Sequence, residues 1–178
     1  DFCLSRGLGD VYKRQAAASV VVRALDDSNA AVRLVAVAAL SRVGLGTAPF
    51  DVVVNASTDA NPDVRAAAIE TLVTLNASRE TLLGVAERGA HDPDAGVRTQ
   101  AAYALAAADH GPLLVSRLAQ AVSDRDPRVR GAAVQLIGRL GAAGRGALPA
   151  LERAASDSDR EVRRLAEAAL VSVRSGHR

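Results

Sequence analysis

The chain has 178 residues with 22 Lys and Arg against 20 Asp and Glu, and its formal net charge of +2 gives little reason to expect a polyanion as its main partner. One Cys excludes a disulfide framework, and polar turns interrupt every apolar stretch, which excludes a transmembrane segment. We therefore expect a soluble cytoplasmic protein. Because Met and Trp are absent and aromatic residues are few, its core must be built from Ala, Val and Leu.

Residues 1–15 differ in composition from the rest of the chain. They hold the only Lys (Lys13) and the only Cys (Cys3), whereas the remainder has 19 Arg and no Lys. The segment DVYKRQ (residues 10–15) is similar to one reading frame of the transposase recognition end used to build shotgun sequencing libraries. We therefore expect residues 1–15 to be a non-native or disordered leader, such as a translated adapter on a metagenomic fragment. A genuine unstructured arm is the alternative.

One pattern then recurs five times along the chain. Each copy has a Val-Arg pair, an Asp six residues before the Arg, an Ala four residues after the Val, and a Leu or Ile eight residues after it. The Val positions, spaced by 32, 33, 32 and 33 residues, are Val32, Val64, Val97, Val129 and Val162. Counted from this Val, apolar residues at 0, +4, +7, +8 and +11 share one face of a helix. The second half of each copy is therefore predicted to be an amphipathic helix.

The first half of each copy predicts another helix, because small or apolar residues stand three, six and nine or ten positions before each Asp. Each copy is thus a helical hairpin, and the predicted hairpins are residues 16–44, 45–76, 77–109, 110–141 and 142–174, followed by a tail at 175–178. One hairpin cannot bury its own apolar face, so stacking on its neighbours must supply the core. The predicted fold class is all-α, a right-handed α-solenoid of about five hairpins.

The turns carry signals for helix ends. Asn61-Pro62 and Asp126-Pro127 each place a capping side chain before a proline, which fits the first helical position because its missing N–H would be unpaired there. The same capping position is occupied without a following proline by Asn29, Asp94 and Asp159. Gly44 and Gly141 stand where a helix is expected to stop.

The pattern D-x-[ND]-x-x-V-R-x-x-A-x-x-A-L resembles the HEAT-repeat family over about residues 16–174, and its 32-residue length resembles the short repeats of bilin-lyase-type HEAT proteins. The resemblance implies that the repeated Asp and Arg form a ladder of hydrogen bonds between neighbouring turns. They are then structural residues, neither catalytic carboxylates nor a DNA-binding row. The ladder residues are Asp27, Arg33, Asp59, Arg65, Asp92, Arg98, Asp124, Arg130, Asp157 and Arg163.

In such hairpins the second helices line the concave face. The +6 position places Tyr103 between Glu70 and Gln135, and a central tyrosine can bury much area while keeping a polar tip. We expect Glu70, Tyr103 and Gln135 to form a partner-binding row. The alternative is a surface tyrosine that only covers small neighbours. Mostly small residues at +2 and +9 suggest a shallow groove that could admit a helix or an extended peptide.

Charge is distributed unevenly along the chain. Residues 16–110 hold 7 Arg against 11 acidic residues, a net of −4, and residues 111–178 hold 12 Arg against 7, a net of +5. Such polarity could guide an acidic partner, RNA or DNA to the C-terminal half. The alternatives are chance variation among solvated Arg residues and complementarity to repeats that this fragment lacks.

No catalytic or metal-binding pattern is present in the sequence. His91 and His110 lie in turns without Cys at a metal-ligand spacing, His177 lies in the tail, and no phosphate loop or nucleophile motif occurs. We expect no enzyme activity and no cofactor, and we expect a scaffold for a protein or peptide, either monomeric or part of a longer repeat array. The alternatives are a subunit of a bilin lyase-like complex and weak nucleic-acid binding.

Overall fold

A computed structural model of the chain describes residues 19–43, 50–108 and 111–176, and helices are the only regular secondary structure in these ranges. The predictions for residues 1–15, Gly44, His110 and His177 lie outside the described residues. Among the helices that are described, none is both long enough and apolar enough to cross a membrane.

The chain forms two compact units that divide between Thr81 and Leu82. In the N-terminal unit, helical residues 19–23 and a 3-10 helix (Ala24–Asp26) precede helix α1 (Ala30–Val43), and helix α2 (Asp51–Ala56) precedes helix α3 (Pro62–Thr74). Helix α3 packs against both α1 and α2. The core of this unit contains fully buried side chains from all three helices: Val37, Leu40, Val53, Ile69 and Leu72.

The C-terminal unit begins within helix α4 (Arg79–Gly89) and continues through α5 (Ala95–Ala108), α6 (Pro112–Ala121) and α7 (Pro127–Arg139). A 3-10 helix (Gly141–Ala147) then leads into α8 (Leu148–Ala154) and α9 (Arg160–Ser175). Helix α7 packs against α5 on one side and against α9 on the other. The second helices of three successive pairs therefore lie side by side in this unit.

The side chains predicted to cap the second helices do so. Asn61 Oδ1 accepts hydrogen bonds from the backbone N–H groups of Asp63 and Val64 at 2.8 and 3.3 Å, and Asp126 Oδ1 accepts one from Arg128 at 2.9 Å. These bonds satisfy donors that the first helical turn leaves unpaired. The other three capping side chains, Asn29, Asp94 and Asp159, accept equivalent bonds.

Glycines end two of the helical segments in the left-handed region, where a side chain would be strained. Gly141, with φ 52°, lies two residues after the end of α7 at Arg139, where the sequence predicts a stop signal, and Gly176 has φ 71° directly after α9. Helix α9 includes Ser175, one residue more than its predicted end.

The buried positions of the second helices match the predicted apolar stripe, and one further repeat position, +5, is buried as well. Four of the five Val at position 0 are at most 2% exposed and all five Ala at +4 are at most 4% exposed, whereas Val32 is 38% exposed. Position +5, which the periodicity did not assign to the core, is also buried in the first four copies: Val37, Ile69, Ala102 and Val134. The fifth copy has Glu167 there, exposed on α9.

Two glycines allow α7 and α9 to approach closely. A Cβ added at Gly138 would lie 3.1 Å from the Cβ of Ala169, and one at Gly131 would lie 3.4 Å from Leu165 Cδ1. The backbone O of Gly138 also accepts a hydrogen bond from Ser172 Oγ at 2.8 Å. Small residues at this interface therefore set the distance between α7 and α9.

Candidate functional site

Arg98 joins two successive turns of the C-terminal unit. Its Nε and Nη2 donate to the two carboxylate oxygens of Asp124, both at 2.8 Å, and its Nη1 donates to the backbone O of Asp92 and of Pro93, both at 2.9 Å. The Arg98 side chain is only 7% exposed. One guanidinium thus closes its own turn and holds the carboxylate of the next hairpin in a bidentate pair, the geometry in which Arg–carboxylate bonds are strongest.

The same arrangement recurs in both units. Arg130 holds Asp157 through two bonds of 2.7 Å in the C-terminal unit, and Arg33 holds Asp59 through bonds of 2.7 and 2.8 Å in the N-terminal unit. In each pair the Arg precedes the Asp in the chain, so the contact runs from one hairpin to the next. The Nη1 atoms of two further ladder arginines, Arg65 and Arg163, donate to backbone carbonyls of their own turns.

These contacts determine the charge state of the ladder carboxylates. Hydrogen bonds from Arg33 and Arg130 hold the pKa values of Asp59 and Asp157, respectively, below the ordinary range. Burial works to raise the pKa of Asp124, but hydrogen bonds from Arg98 and from a backbone N–H outweigh it, and the net direction is also downward. These aspartates are therefore ionised and bound to cations, a state that suits a structural role better than proton transfer.

A groove of about 420 Å³ crosses α5, α7 and α9 in the C-terminal unit. Its middle is formed by small residues of α7, and its two sides come from α5 and α9. Because Gly131 has no side chain, the floor stays open between the larger neighbours on either side. The groove is lined by Thr99, Tyr103, Pro127, Arg128, Gly131, Ala132, Gln135, Asp159, Glu161, Val162, Arg164 and Leu165.

The groove contains two of the three residues predicted for the partner-binding row. Tyr103 is half-buried on α5 and its Oη donates to Gln135 Oε1 on α7 at 3.4 Å. Glu70 is exposed on α3 of the N-terminal unit and does not line this groove. The structure therefore brings Tyr103 and Gln135 together. The binding role of all three residues stays a prediction.

Two ion pairs that the sequence pattern did not predict border the groove. Arg128 Nη2 donates to Asp126 Oδ2 at 3.0 Å, and Arg164 Nε donates to Glu161 Oε2 at 2.9 Å. The arginine in each pair holds the pKa of its carboxyl partner below the ordinary range. A three-residue spacing on a helix was the available signal for Glu161 and Arg164. Such pairs are common on solvated faces, and their spacing alone says little about a binding site.

The remaining candidate for chemistry is His91, which is exposed after α4. Its Nδ1 lies 3.0 Å from the backbone O of Glu87. In the described part of the chain, no three His, Cys, Asp or Glu side chains are grouped so that they could hold a metal ion.

Comparison with known proteins identifies the repeat. A family model described as HEAT repeats matches residues 4–73 and 86–171. A search of curated proteins found no match. Among solved structures, the chain is similar to the complex of CpcE and CpcF of phycocyanin lyase from Nostoc sp. PCC7120, with a TM-score of 0.69, 20% identity, and coverage of 89% of this chain and 65% of that chain.

Two further solved structures are similar over most of the chain. One is a designed armadillo repeat protein in complex with the peptide (KR)4, with a TM-score of 0.64, 22% identity, and coverage of 89% of this chain and 82% of that one. The other is the archaeal HEAT-like repeats protein from Thermococcus onnurineus NA1, with a TM-score of 0.58, 19% identity, and coverage of 94% and 76%. At these identities the likeness concerns the fold, and it confirms the predicted all-α solenoid class.

Proposed function

The chain belongs to the HEAT-repeat family, and from the groove across its second helices we propose that it is a non-catalytic scaffold that binds an extended segment of a protein partner. The observation that carries this proposal is the position of Tyr103 and Gln135 beside the small residues of α7. An aromatic side chain with a polar tip next to an amide can pack on a peptide and also bond to its backbone.

The length of the groove suits an extended peptide. Packed helices lie about 8–10 Å apart, so a groove that crosses three of them is about 20 Å long. An extended chain rises about 3.3 Å per residue, and about six residues would therefore span the groove. A designed repeat protein of similar fold is seen with a bound peptide, which agrees with this mode of binding.

Selection from a displayed library of random peptides, with the full chain as bait, tests the proposal. We expect enriched peptides to bind saturably, and Tyr103→Ala and Gln135→Ala each to weaken them at least tenfold, which corresponds to about 1.4 kcal/mol. Gln100→Ala is the matched control, because Gln100 lies on α5 but does not line the groove. Selection that enriches no peptide, or peptides that bind a folded Tyr103→Ala/Gln135→Ala double variant unchanged, would overturn the proposal.

A second candidate is a subunit of a bilin lyase-like complex, which the likeness to the phycocyanin lyase complex brings into consideration. The groove offers a single aromatic side chain, Tyr103, to hold a tetrapyrrole. We therefore expect no shift of visible absorbance when the protein is mixed with bilin. A shift would favour this candidate over the scaffold.

Nucleic-acid binding has less support from the structure. Many Arg side chains of the C-terminal unit already pair with carboxylates, and binding to phosphates would have to break these pairs. The paired arginines are Arg98, Arg117, Arg128, Arg130, Arg164 and Arg174. We expect no mobility shift of DNA or RNA with the protein even at low salt.

A further inference from the structure

A second cavity, of about 490 Å³, lies in the C-terminal unit between α4, α5 and α6. It shares no lining residue with the groove. Its walls are mostly apolar, and most of its apolar residues are buried. The buried ones are Ala86 on α4, Ala101, Ala102 and Leu105 on α5, Leu118 on α6 and Val129 on α7, whereas Ala121 on α6 is half-buried and Ala90, which follows α4, is exposed.

The cavity arises where one hairpin carries smaller residues than the next. Ala86 and Ala90 stand six and two residues before Asp92. The next hairpin has Leu118 and Val122 at the same distances before its own ladder Asp, and both are buried. The third hairpin thus has Ala at two positions where the fourth hairpin has the larger side chains of Leu118 and Val122.

A third shortened side chain lies on α5. Ala102 occupies position +5, where the preceding two copies have Val37 and Ile69 and the next copy has Val134. The next hairpin of this chain accommodates larger residues at all three positions, with Leu118, Val122 and Val134. The empty volume is therefore a local property of the third hairpin, and the backbone does not require it.

The charged groups at the border of the cavity are already paired with one another. Arg98 holds Asp124 in the bidentate pair, and Arg117 Nη2 on α6 lies 2.6 Å from Glu87 Oε1 on α4. The Arg117 and Glu87 side chains are 30% and 59% exposed, so this pair lies at the solvent edge. Because each charge has a counter-charge, a charged ligand would have to displace one of them, whereas an uncharged ligand would not.

We propose that this cavity is a binding site for an uncharged, mainly apolar small molecule, of the size of a compound with two or three rings. Its volume falls within the range of about 300–1,000 Å³ that is typical of small-molecule sites. The cavity opens to solvent beside the exposed residues Glu87, Ala90 and His91, so a ligand can enter it, and binding removes apolar surface of the ligand and of the walls from water. The amide of Gln120 and the ring of His91 border the cavity and can offer a hydrogen bond to one polar group of the ligand.

Fluorescence titration with N-phenyl-1-naphthylamine, an uncharged apolar probe, tests the site in the full chain. We expect saturable binding of one probe per chain, and binding at least tenfold weaker to the Ala86→Leu/Ala90→Val variant, which restores the residues of the next hairpin. Ala155→Val is the matched control, because Ala155 precedes Asp157 by two residues but does not line the cavity. Tyr103→Ala should also leave probe binding unchanged, which separates this site from the peptide groove.

Absence of saturable probe binding to the unmodified chain overturns the proposed binding site. Unchanged probe binding by the double variant also overturns it when the circular dichroism of the variant matches that of the parent. Should the double variant not fold, Ala102→Val provides the same test with one added side chain. An anionic analogue, 1-anilinonaphthalene-8-sulfonate, should bind more weakly than the uncharged probe, and tighter binding of the anion overturns the uncharged class of ligand.

Discussion

Arg98 uses every arm of its guanidinium within the fold, as Arg130 does, and at 7% against 13% exposure its side chain is the more buried of the two. Replacing Arg98 with Met keeps a flexible apolar stem but leaves the Asp124 carboxylate, 16% exposed, without its cation. We expect the free energy of unfolding to fall by about 3–5 kcal/mol, as is usual when one partner of a buried pair is removed. Urea unfolding followed by circular dichroism measures this change.

Arg174→Met is the control for this prediction. Arg174 pairs with Glu152 at 2.7 Å, but the two side chains are 59% and 54% exposed. Exposed pairs contribute little, so the expected loss is below about 1 kcal/mol. Equal losses in the two variants would show that the ladder pair is no more important than a surface pair.

The lowered pKa values of Asp59, Asp124 and Asp157 predict how stability depends on pH. Because these pKa values are lower in the folded than in the unfolded chain, the unfolded state takes up more protons as the pH falls. The stabilisation is complete above the ordinary Asp pKa of about 4 and is lost as the pH falls through the folded-state values. We expect Asp157→Asn to flatten the acid side of the stability profile measured by denaturation from pH 7 to pH 2. An unchanged slope would contradict this role.

At the same scale, the repeated pattern predicts which residues recur, and it was the resemblance to a known family that implied bonds between neighbouring turns. The six-residue interval between Asp92 and Arg98 places both at one turn, yet the Arg98 side chain reaches the carboxylate of Asp124 in the next hairpin. A contact between residues 26 positions apart depends on how hairpins stack, which a pattern within one repeat does not contain.

Among helices, the close approach of α7 and α9 predicts opposite effects for two glycine substitutions. Replacing Gly with Ala in an exposed helix usually stabilises it by about 0.5–1 kcal/mol. At Gly84 on α4 the nearest atom to the added Cβ is the end of the Arg88 side chain at 3.7 Å, so we expect this gain. At Gly138 the added Cβ meets Ala169 at 3.1 Å, and we expect a loss of about 1–3 kcal/mol from overpacking. Thermal unfolding distinguishes the two, and a stabilised Gly138→Ala variant would refute the packing assigned to this interface.

The helices themselves were predictable because their ends and their apolar stripe are local features. The Asn61 and Asp126 caps identify helix starts from four or five neighbouring residues. The periodicity did not predict burial at +5 because this position lies beside the continuous apolar face formed by 0, +4 and +8. The structure shows that +5 is buried as well. The cavity beside Ala102 was missed because a shortened side chain leaves no periodic signal.

For the molecule as a whole, the repeat architecture predicts that a core substitution lowers stability only near the substituted hairpin. In such proteins each repeat contacts only its neighbours, so stability is close to a sum of neighbouring terms. Leu151 on α8 is fully buried, and Leu151→Ala should cost about 2–5 kcal/mol. We expect native-state hydrogen exchange to accelerate in α8 and α9 while protection in α1 and α3 is retained. A uniform loss of protection along the chain would mean that it unfolds as a single cooperative body.

The direction of the Arg-to-Asp contacts has a consequence for how such a chain can change in evolution. The hairpin of Asp124 and Arg130 carries a carboxylate that pairs with Arg98 of its predecessor and a cation that pairs with Asp157 of its successor. Tandem duplication or excision of a complete hairpin would therefore leave every internal pair intact. The length of the array can vary by whole modules without any compensating mutation, whereas an insertion of a few residues inside a turn would separate the pair.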